Sequence, residues 1–283
     1  MSVEFHDLSE KILNSGSSYW GNLGYWQSPS DYSSACSALA DELAQAVELG
    51  PSSHVFDAGF GCGDQLLLWL QKYKVNSIQG LNYSESQTSL AQQRLNDQGF
   101  ATAAKHIRYG SVTDMCREEF LRPSDSQSTE EVNTVLALDC AYHFPSRADF
   151  LRSSYKLLND SGRIGLTDIL LSDSPSTVWQ RFILRTMLFL SNIPAKNIVT
   201  LNTYKDELLT TGFDNVIIRD ISAQVFTPFS DWLKVFKQSE GQERSKSKLI
   251  WLKYDVTAKF LKWADRNDLL RYAVISAEKT TGK

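Results

Sequence analysis

The chain has 283 residues, of which 42% are hydrophobic and 22% charged, a composition typical of a soluble globular protein long enough to bury a sizeable core. Its formal net charge of -4 gives no general electrostatic footprint for nucleic acid or an anionic membrane, although local basic patches remain possible.

The cysteines and the apolar runs argue against a zinc-binding, disulfide-rich, secreted or membrane-spanning protein. The four cysteines are far apart and form no C-x-x-C pair, so neither a zinc site nor a disulfide framework is predicted, and no other metal site is expected. The first residues lack a secretory pattern, and no apolar run reaches the length of a membrane-spanning helix. We therefore expect a cytoplasmic protein with reduced thiols.

Residues 19–26 form the first distinctive segment, with the sequence Y-W-G-N-L-G-Y-W. Aromatic rings beside a positively charged ligand can supply cation–π contact or exclude water from a site. Packing into the core is the alternative, and it stays open for Trp20. A helix is predicted to follow over residues 32–49.

Residues 55–70 carry a glycine-rich loop between a predicted strand and a predicted helix. The apolar run from Val55 indicates a buried strand, the glycines indicate a tight turn, and the apolar segment from Leu66 indicates a helix. Glycines let the backbone approach a ligand closely, and a helix start presents unpaired N–H groups beside it. The dinucleotide pattern G-x-G-x-x-G needs its third glycine at position 64, where this chain has Asp64.

The observed spacing, D-x-G-x-G-x-G from Asp57, resembles the first motif of class I S-adenosylmethionine-dependent methyltransferases. The resemblance implies a Rossmann-like α/β fold with a seven-stranded, mostly parallel sheet, helices on both faces and a helical cap after the fifth strand. It also implies S-adenosylmethionine as the cofactor. The residues that it assigns to the methionine half are Asp57, Gly59, Gly61 and Gly63, with Tyr25 and Trp26 of a similar G-Y-W segment nearby. A glycine turn without a ligand is the alternative.

A second strand is predicted over residues 77–82 and a helix over 84–98, with Ser84 as its N-cap. Asn82 stands where this fold usually places a carboxylate for the ribose hydroxyls, and an uncharged amide should hold them more weakly. The missing acid argues against a nicotinamide cofactor. Residues 80–87 resemble the G-x-x-x-S-x-x-Q form of sterol and sugar methyltransferases, which implies that Gln87 is a second polar contact. An exposed helix position is the alternative for Gln87.

A short third strand is predicted over residues 107–112. Family members often have Gly-Asp at its end, where the Asp contacts the adenine amino group. This chain has Gly110 followed by Ser111, so it departs from that pattern. Ser111 and Val112 are the predicted contacts for the adenine edge.

The fourth strand is predicted over residues 131–139 and ends in D-C-A-Y-H-F. A helix capped by Ser146 follows it, and a fifth strand is predicted over residues 163–169. Open α/β sheets bind ligands beyond the carboxyl ends of their strands, so polar residues from five elements should share one crevice. These residues are Asp57, Asn82, Asp139, His143 and Asp168, and Asp139 is a predicted cofactor contact.

Similar sugar O-methyltransferases have a His after the fourth strand and an Asp at the end of the fifth. By that resemblance His143 and Asp168 form a general-base pair, in which the carboxylate fixes the tautomer of the imidazole. The alternatives are a turn histidine and a capping aspartate.

A helix that is apolar on most faces is predicted over residues 176–191, before Pro194. It is too short to span a bilayer, so it is either a lid over the crevice or a helix on a membrane surface. The lid is favoured because an insertion after the fifth strand overlies the active site in the resembling family. Such a lid implies an apolar or bulky methyl acceptor.

The rest of the chain is predicted to complete the same domain. Helices are expected over 203–211, after Pro228 and over 249–265, and strands over 215–221 and 272–277. The prediction is a single methyltransferase domain over 1–283. Its parts are an N-terminal aromatic segment and helix (1–50), a cofactor-binding core (51–170), a cap insertion (171–202) and a C-terminal part of the sheet with helices (203–283).

These observations together predict methyl transfer to an oxygen, nitrogen or carbon of a small molecule. A nucleic-acid methyltransferase is disfavoured because the fourth strand is not followed by [ND]-P-P-[YF] and no basic groove is evident. A non-catalytic scaffold or partner subunit that binds S-adenosylmethionine is the other alternative, which the departures at Asn82 and Ser111 keep open. The acceptor and the oligomeric state stay open at this point.

Overall fold

The computed structural model describes residues 12–115, 131–241 and 248–280. These residues form one seven-stranded sheet in the order β3-β2-β1-β4-β5-β7-β6. Strands β1 to β5 pair in parallel, and β7 runs antiparallel to both β5 and β6. The strands are β1 (His54–Ala58), β2 (Ser77–Asn82), β3 (Ile107–Tyr109), β4 (Thr134–Leu138), β5 (Arg163–Leu171), β6 (Phe213–Asp220) and β7 (Leu270–Lys279).

Helices cover both faces of the sheet, as the two hydrophobic clusters show. One cluster joins α1 to α4, α6, α8 and α9 to strand residues such as Val55, and the other joins α5 and α7 to alternate residues such as Phe56. The helices are α1 (Tyr32–Ala46), α2 (Asp64–Gln71), α3 (Glu85–Asp97), α4 (Ala101–His106), α5 (Arg147–Leu157), α6 (Val178–Leu190), α7 (Leu201–Thr211), α8 (Ser222–Phe236) and α9 (Lys248–Arg266). No helix in these three ranges is long and apolar enough to cross a membrane.

The strand order reverses between β1 and β4, because β1 pairs with β2 on one side and with β4 on the other. Loops that leave the carboxyl ends of these two strands turn to opposite faces and open a crevice between them. The glycine loop follows β1 and Asp139 follows β4. This topology places the predicted site residues around one end of the sheet.

The predicted N-caps at Ser84 and Ser146 are confirmed. The Ser84 hydroxyl accepts a hydrogen bond from Gln87 N at 3.2 Å, and the Ser146 hydroxyl accepts one from Asp149 N at 3.2 Å. Each bond satisfies one of the N–H groups that a helix start leaves without a partner. Both helices therefore begin where their cap residues predict.

Several predicted boundaries differ from the observed ones, and two of these differences bear on the site. Strand β5 continues to Leu171, because it pairs along its whole length with β7, so Asp168 lies inside the strand and not at its end. Pro228 lies inside α8 and does not precede it. A proline in a helix leaves the carbonyl four residues earlier without its usual donor. Here that carbonyl, Gln224 O, accepts a hydrogen bond from Trp26 N at 2.8 Å, which ties the N-terminal segment to α8.

Candidate active site

The glycine loop is closed toward β4 and open at its middle glycine. Gly59, Gly61 and Gly63 all have positive φ angles, of 79°, 57° and 89°. A Cβ on Gly59 would lie 2.8 Å from Cys140 Sγ, whereas a Cβ on Gly61 would meet nothing within 4 Å. Helix α2 begins at Asp64, and its first N–H groups lie beside this opening. The backbone at Gly61 is therefore the part of the loop that a ligand can approach.

Asp57 supports the loop from behind. Its carboxylate is fully buried and accepts hydrogen bonds from Gln65 Nε2 at 2.8 Å and Trp69 Nε1 at 2.7 Å. Burial raises the pKa of Asp57 to about 7, against the effect of these two donors. Because both donors belong to α2, the contacts fix the strand and the helix on either side of the glycines.

The structure brings together the two residues predicted for the ribose. Asn82 Oδ1 accepts a hydrogen bond from Gly61 N at 3.2 Å, and Asn82 Nδ2 donates to Gln87 Oε1 at 3.3 Å. Gly110 N also donates to Asn82 O at 3.0 Å, so the segment with Ser111 starts at the same strand end. The contacts of these side chains with ribose and adenine stay predictions.

The adenine candidates differ in exposure. Ser111 caps a short 3₁₀ turn through a bond from Thr113 N at 3.3 Å, and Val112 is buried. Sequence reasoning missed two aromatic residues nearby, Tyr83 and Tyr109, which are 78% and 52% exposed with ring centroids 6.3 Å apart. Their positions in the sequence could have indicated them, because Tyr83 directly follows β2 and Tyr109 is the last residue of β3.

Asp139 joins three parts of the chain at the end of β4. Its Oδ2 accepts a hydrogen bond from Leu23 N at 2.8 Å, and its Oδ1 accepts bonds from Tyr142 OH at 2.8 Å and Tyr272 OH at 2.5 Å. Burial raises the pKa of Asp139 to about 7, and the two hydroxyl donors oppose that rise. Sequence reasoning missed Tyr272, because no spacing rule connects it to a residue so far away along the chain.

The N-terminal aromatic segment reaches the crevice through its backbone. Leu23 N contacts Asp139, whereas the ring of Trp26 packs against Trp232 of α8 with centroids 5.0 Å apart. Trp20 is buried in the core, which is the alternative that the sequence left open for it. Tyr25 is half-buried, and its hydroxyl donates to Gln27 Oε1 at 2.5 Å.

The predicted pairing of His143 with Asp168 was wrong. Asp168 lies inside β5, on the face covered by α5 and α7, where it accepts bonds from Tyr204 OH at 2.9 Å and Arg147 Nη1 at 3.4 Å. Its other oxygen accepts a bond from Ile169 N at 2.8 Å, so none of these donors is His143. The His143 Nδ1 instead lies 3.4 Å from the carbonyl oxygen of Asn192.

Arg147 and Asp168 form a buried ion pair. Arg147 is 1% exposed, its Nη2 lies 3.3 Å from Glu207, and its guanidinium stacks 3.9 Å from the ring centroid of Tyr204. Burial raises the pKa of Asp168, and the charge of Arg147 opposes that rise. This network joins β5, α5 and α7 underneath the crevice.

The described residues include no candidate metal site and no disulfide bond. No group of three or more His, Cys, Asp or Glu side chains in the described ranges is placed to hold a metal ion. Among the described residues, Cys36, Cys62 and Cys140 form no disulfide bond.

Known proteins are similar to this chain in sequence, although no protein-family model matches it. It is 28% identical over 239 residues to erythromycin 3''-O-methyltransferase of Saccharopolyspora erythraea, which covers 81% of this chain and 73% of that protein. It is 25% identical to 27-O-demethylrifamycin SV methyltransferase of Amycolatopsis mediterranei, with coverage of 97% and 94%.

Solved structures share the fold. A cyclopropane synthase of Mycobacterium tuberculosis has a TM-score of 0.73 at 17% identity, covering 97% of this chain and 94% of that one. Geranyl diphosphate methyltransferase in complex with S-adenosylmethionine has a TM-score of 0.65 at 16% identity, covering 88% of each chain. Together with the sequence relatives, these similarities confirm the predicted fold class, the resemblance to class I methyltransferases and S-adenosylmethionine as the cofactor.

The buried ion pair gives a first testable prediction. Asp168→Ala removes the fully buried carboxylate that pairs with Arg147 and leaves the buried hydroxyl of Tyr204 without its acceptor, so we expect it to lower the free energy of unfolding by about 3 kcal/mol. Urea denaturation measures this loss. Asp231→Ala removes an exposed carboxylate that pairs with Lys262, and it should cost less than about 1 kcal/mol. Unchanged stability of Asp168→Ala together with lost turnover would restore the general-base assignment.

Proposed function

We propose that this S-adenosylmethionine-dependent methyltransferase transfers the methyl group to a hydroxyl oxygen of a bulky, apolar small molecule. The names of both reported sequence relatives support the choice of oxygen, since one is a 3''-O-methyltransferase and the other acts on a 27-O-demethyl compound. The observation that carries the proposal is the imidazole of His143, which stands in the turn after β4 and contacts the carbonyl oxygen of Asn192. A hydroxyl nucleophile must lose a proton, whereas a neutral amine needs less help.

The cofactor fits the opening at the glycine loop. The backbone at Gly61 is open to a ligand, and the start of α2 offers N–H groups beside it. In this proposal the loop holds the methionine half, Asn82 and Gln87 hold the ribose, and Ser111, Val112 and Tyr83 surround the adenine. Asp57 acts indirectly by fixing the loop, and Asp139 holds Leu23 and the segment with Tyr25 and Trp26 over the methionine end. Bound S-adenosylmethionine supplies the electrophilic methyl group.

His143 is the proposed proton acceptor. A backbone carbonyl can only accept, so the contact with Asn192 O places the proton of the neutral ring on Nδ1 and leaves Nε2 with a lone pair. Burial lowers the pKa of His143 to about 4, so its imidazole is neutral at pH 7 and has a lone pair for a proton, although burial also makes it a weaker base than an exposed histidine. Asn192 thereby takes the orienting role that the sequence assigned to Asp168.

The cap is also part of this proposal. Residues 171–202 leave the end of β5, form α6 and return at Asn192 to the side of His143. This path crosses the carboxyl edge of the sheet. An apolar lid over the crevice suits an apolar acceptor, because it excludes water from the reacting groups.

The first experiment identifies the product. We expect the protein, incubated with isotopically labelled methyl donor and a metabolite extract of its host, to yield a labelled methyl ether. Mass spectrometry locates the label, and nuclear magnetic resonance identifies the atom that carries it. A labelled N-methyl or C-methyl product would contradict oxygen as the acceptor.

The glycine loop gives a prediction about cofactor affinity. Gly61→Ala places a methyl group in the open space at the loop and should weaken S-adenosylmethionine binding by at least about tenfold, as measured by calorimetry. Gly99→Ala is the matched control, since Gly99 also has a positive φ, of 84°, and nothing within 4 Å of its Cβ position. Equal cofactor affinity of both variants would place the cofactor elsewhere.

The proposed base gives a prediction about pH. His143→Ala should lower kcat by about 10²- to 10⁴-fold and leave cofactor affinity unchanged, because the ring acts on the acceptor. In the wild type, kcat/KM should stay level from pH 8 down to about 5 and fall only as His143 becomes protonated near its pKa of about 4. An acidic limb near pH 7 that persists in His143→Ala would instead identify Asp139 as the proton acceptor.

A further inference from the structure

Helix α6 exposes large apolar side chains on the side that faces away from the protein. In the α6 outer face, as we name it, five residues are 60% to 78% exposed. They are Val178, Trp179, Phe182, Phe189 and Leu190. Trp179 and Phe182 stack on each other, with ring centroids 5.6 Å apart and an interplanar angle of 19°. So large an apolar surface on one exposed helix marks a site of interaction.

The inner side of the same helix is anchored. Leu184 and Leu188 are buried in the core, and Thr177 and Gln180 form a capping box at the N-terminus. Gln180 also donates to Asn267 Oδ1, at 3.2 Å, at the end of α9. Because these contacts hold α6 in place, the outer face is presented to the surroundings on a fixed helix.

The charge on α6 is positive, in contrast to the acidic chain as a whole. Arg181 and Arg185 are both exposed, and the helix contains no acidic residue. The two arginines are four residues apart, which places them one turn apart along one border of the apolar stripe. An apolar stripe bordered by arginine, with a tryptophan at its edge, is typical of helices that lie in a membrane interface.

We propose that the α6 outer face binds an anionic membrane surface, with the helix parallel to the bilayer. The aromatic side chains enter the boundary between headgroups and acyl chains, and the arginines contact lipid phosphates. A second copy of the chain is a poorer occupant, because a symmetric contact through α6 brings the arginines of one copy near those of the other. The proposal concerns binding and does not require that the chain methylates a lipid.

One consequence joins this surface to the crevice and rests on the proposed function. Asn192, two residues after α6, contacts His143, so the proposed base lies next to the membrane-bound end of the helix. An apolar acceptor dissolved in the bilayer would then enter the crevice without crossing water.

Vesicle flotation of the full chain, without any acceptor, tests the proposal. We expect binding to vesicles that mix phosphatidylcholine with phosphatidylserine, much weaker binding to phosphatidylcholine alone, and release by salt. Arg181→Gln with Arg185→Gln should weaken binding to the anionic vesicles by about twenty-five-fold, from roughly fivefold for each arginine. Phe182→Ser with Phe189→Ser should weaken binding to these vesicles by more than about tenfold, because the apolar area is lost.

The matched controls change equivalent groups elsewhere. Lys205→Gln with Lys234→Gln removes two exposed charges outside α6, and Ile217→Ser removes a side chain on β6 that is 63% exposed. Both controls should bind vesicles as the wild type does, and cofactor affinity should stay unchanged in every variant. Three results would overturn the proposal: no binding to anionic vesicles, binding that the α6 variants leave intact, or a dimer in sedimentation that Phe182→Ser with Phe189→Ser dissociates. Because the assay involves no turnover, its failure leaves the proposed function standing.

Discussion

The carboxylate of Asp139 holds the crevice together. It accepts hydrogen bonds from the backbone of Leu23 and from the hydroxyls of Tyr142 and Tyr272, so one side chain joins the N-terminal segment, the end of β4 and the start of β7. A buried carboxylate without such donors would be costly, and here three donors compensate for its loss of water. The cover over the glycine loop therefore depends on a polar interaction and not only on apolar packing.

Burial shifts the pKa values of three groups around the same crevice toward their uncharged forms. Desolvation raises the pKa of Asp57 and of Asp139 to about 7, and it lowers the pKa of His143 to about 4. A positively charged sulfonium donor benefits from nearby carboxylates, whereas a proton acceptor must be uncharged before it acts. Burial thus keeps His143 uncharged at pH 7, whereas it leaves the carboxyl groups of Asp57 and Asp139 only partly ionised there.

Two neighbouring polar residues of strand β5 have different roles, because successive side chains of a strand point to opposite faces of the sheet. Thr167 accepts a hydrogen bond from Asp139 N at 2.8 Å on the face with Tyr272. Asp168, the next residue, points to the other face and pairs with Arg147. A shift of one position along a strand therefore decides whether a polar residue belongs to the crevice or to the support beneath it.

The sequence was enough to predict the order of the strands, every helix except the short α4, the glycine loop at Gly59, Gly61 and Gly63, and the fold class. These features depend on local spacing and on apolar periodicity, which neighbouring residues specify. The partners of Asp139 and Asp168 became visible only in the folded chain, because Tyr272, Arg147 and the length of β5 depend on pairing between segments far apart in the chain. The packing of helices and strands sets which buried polar groups form hydrogen bonds with each other. The spacing of residues within one segment does not contain that information.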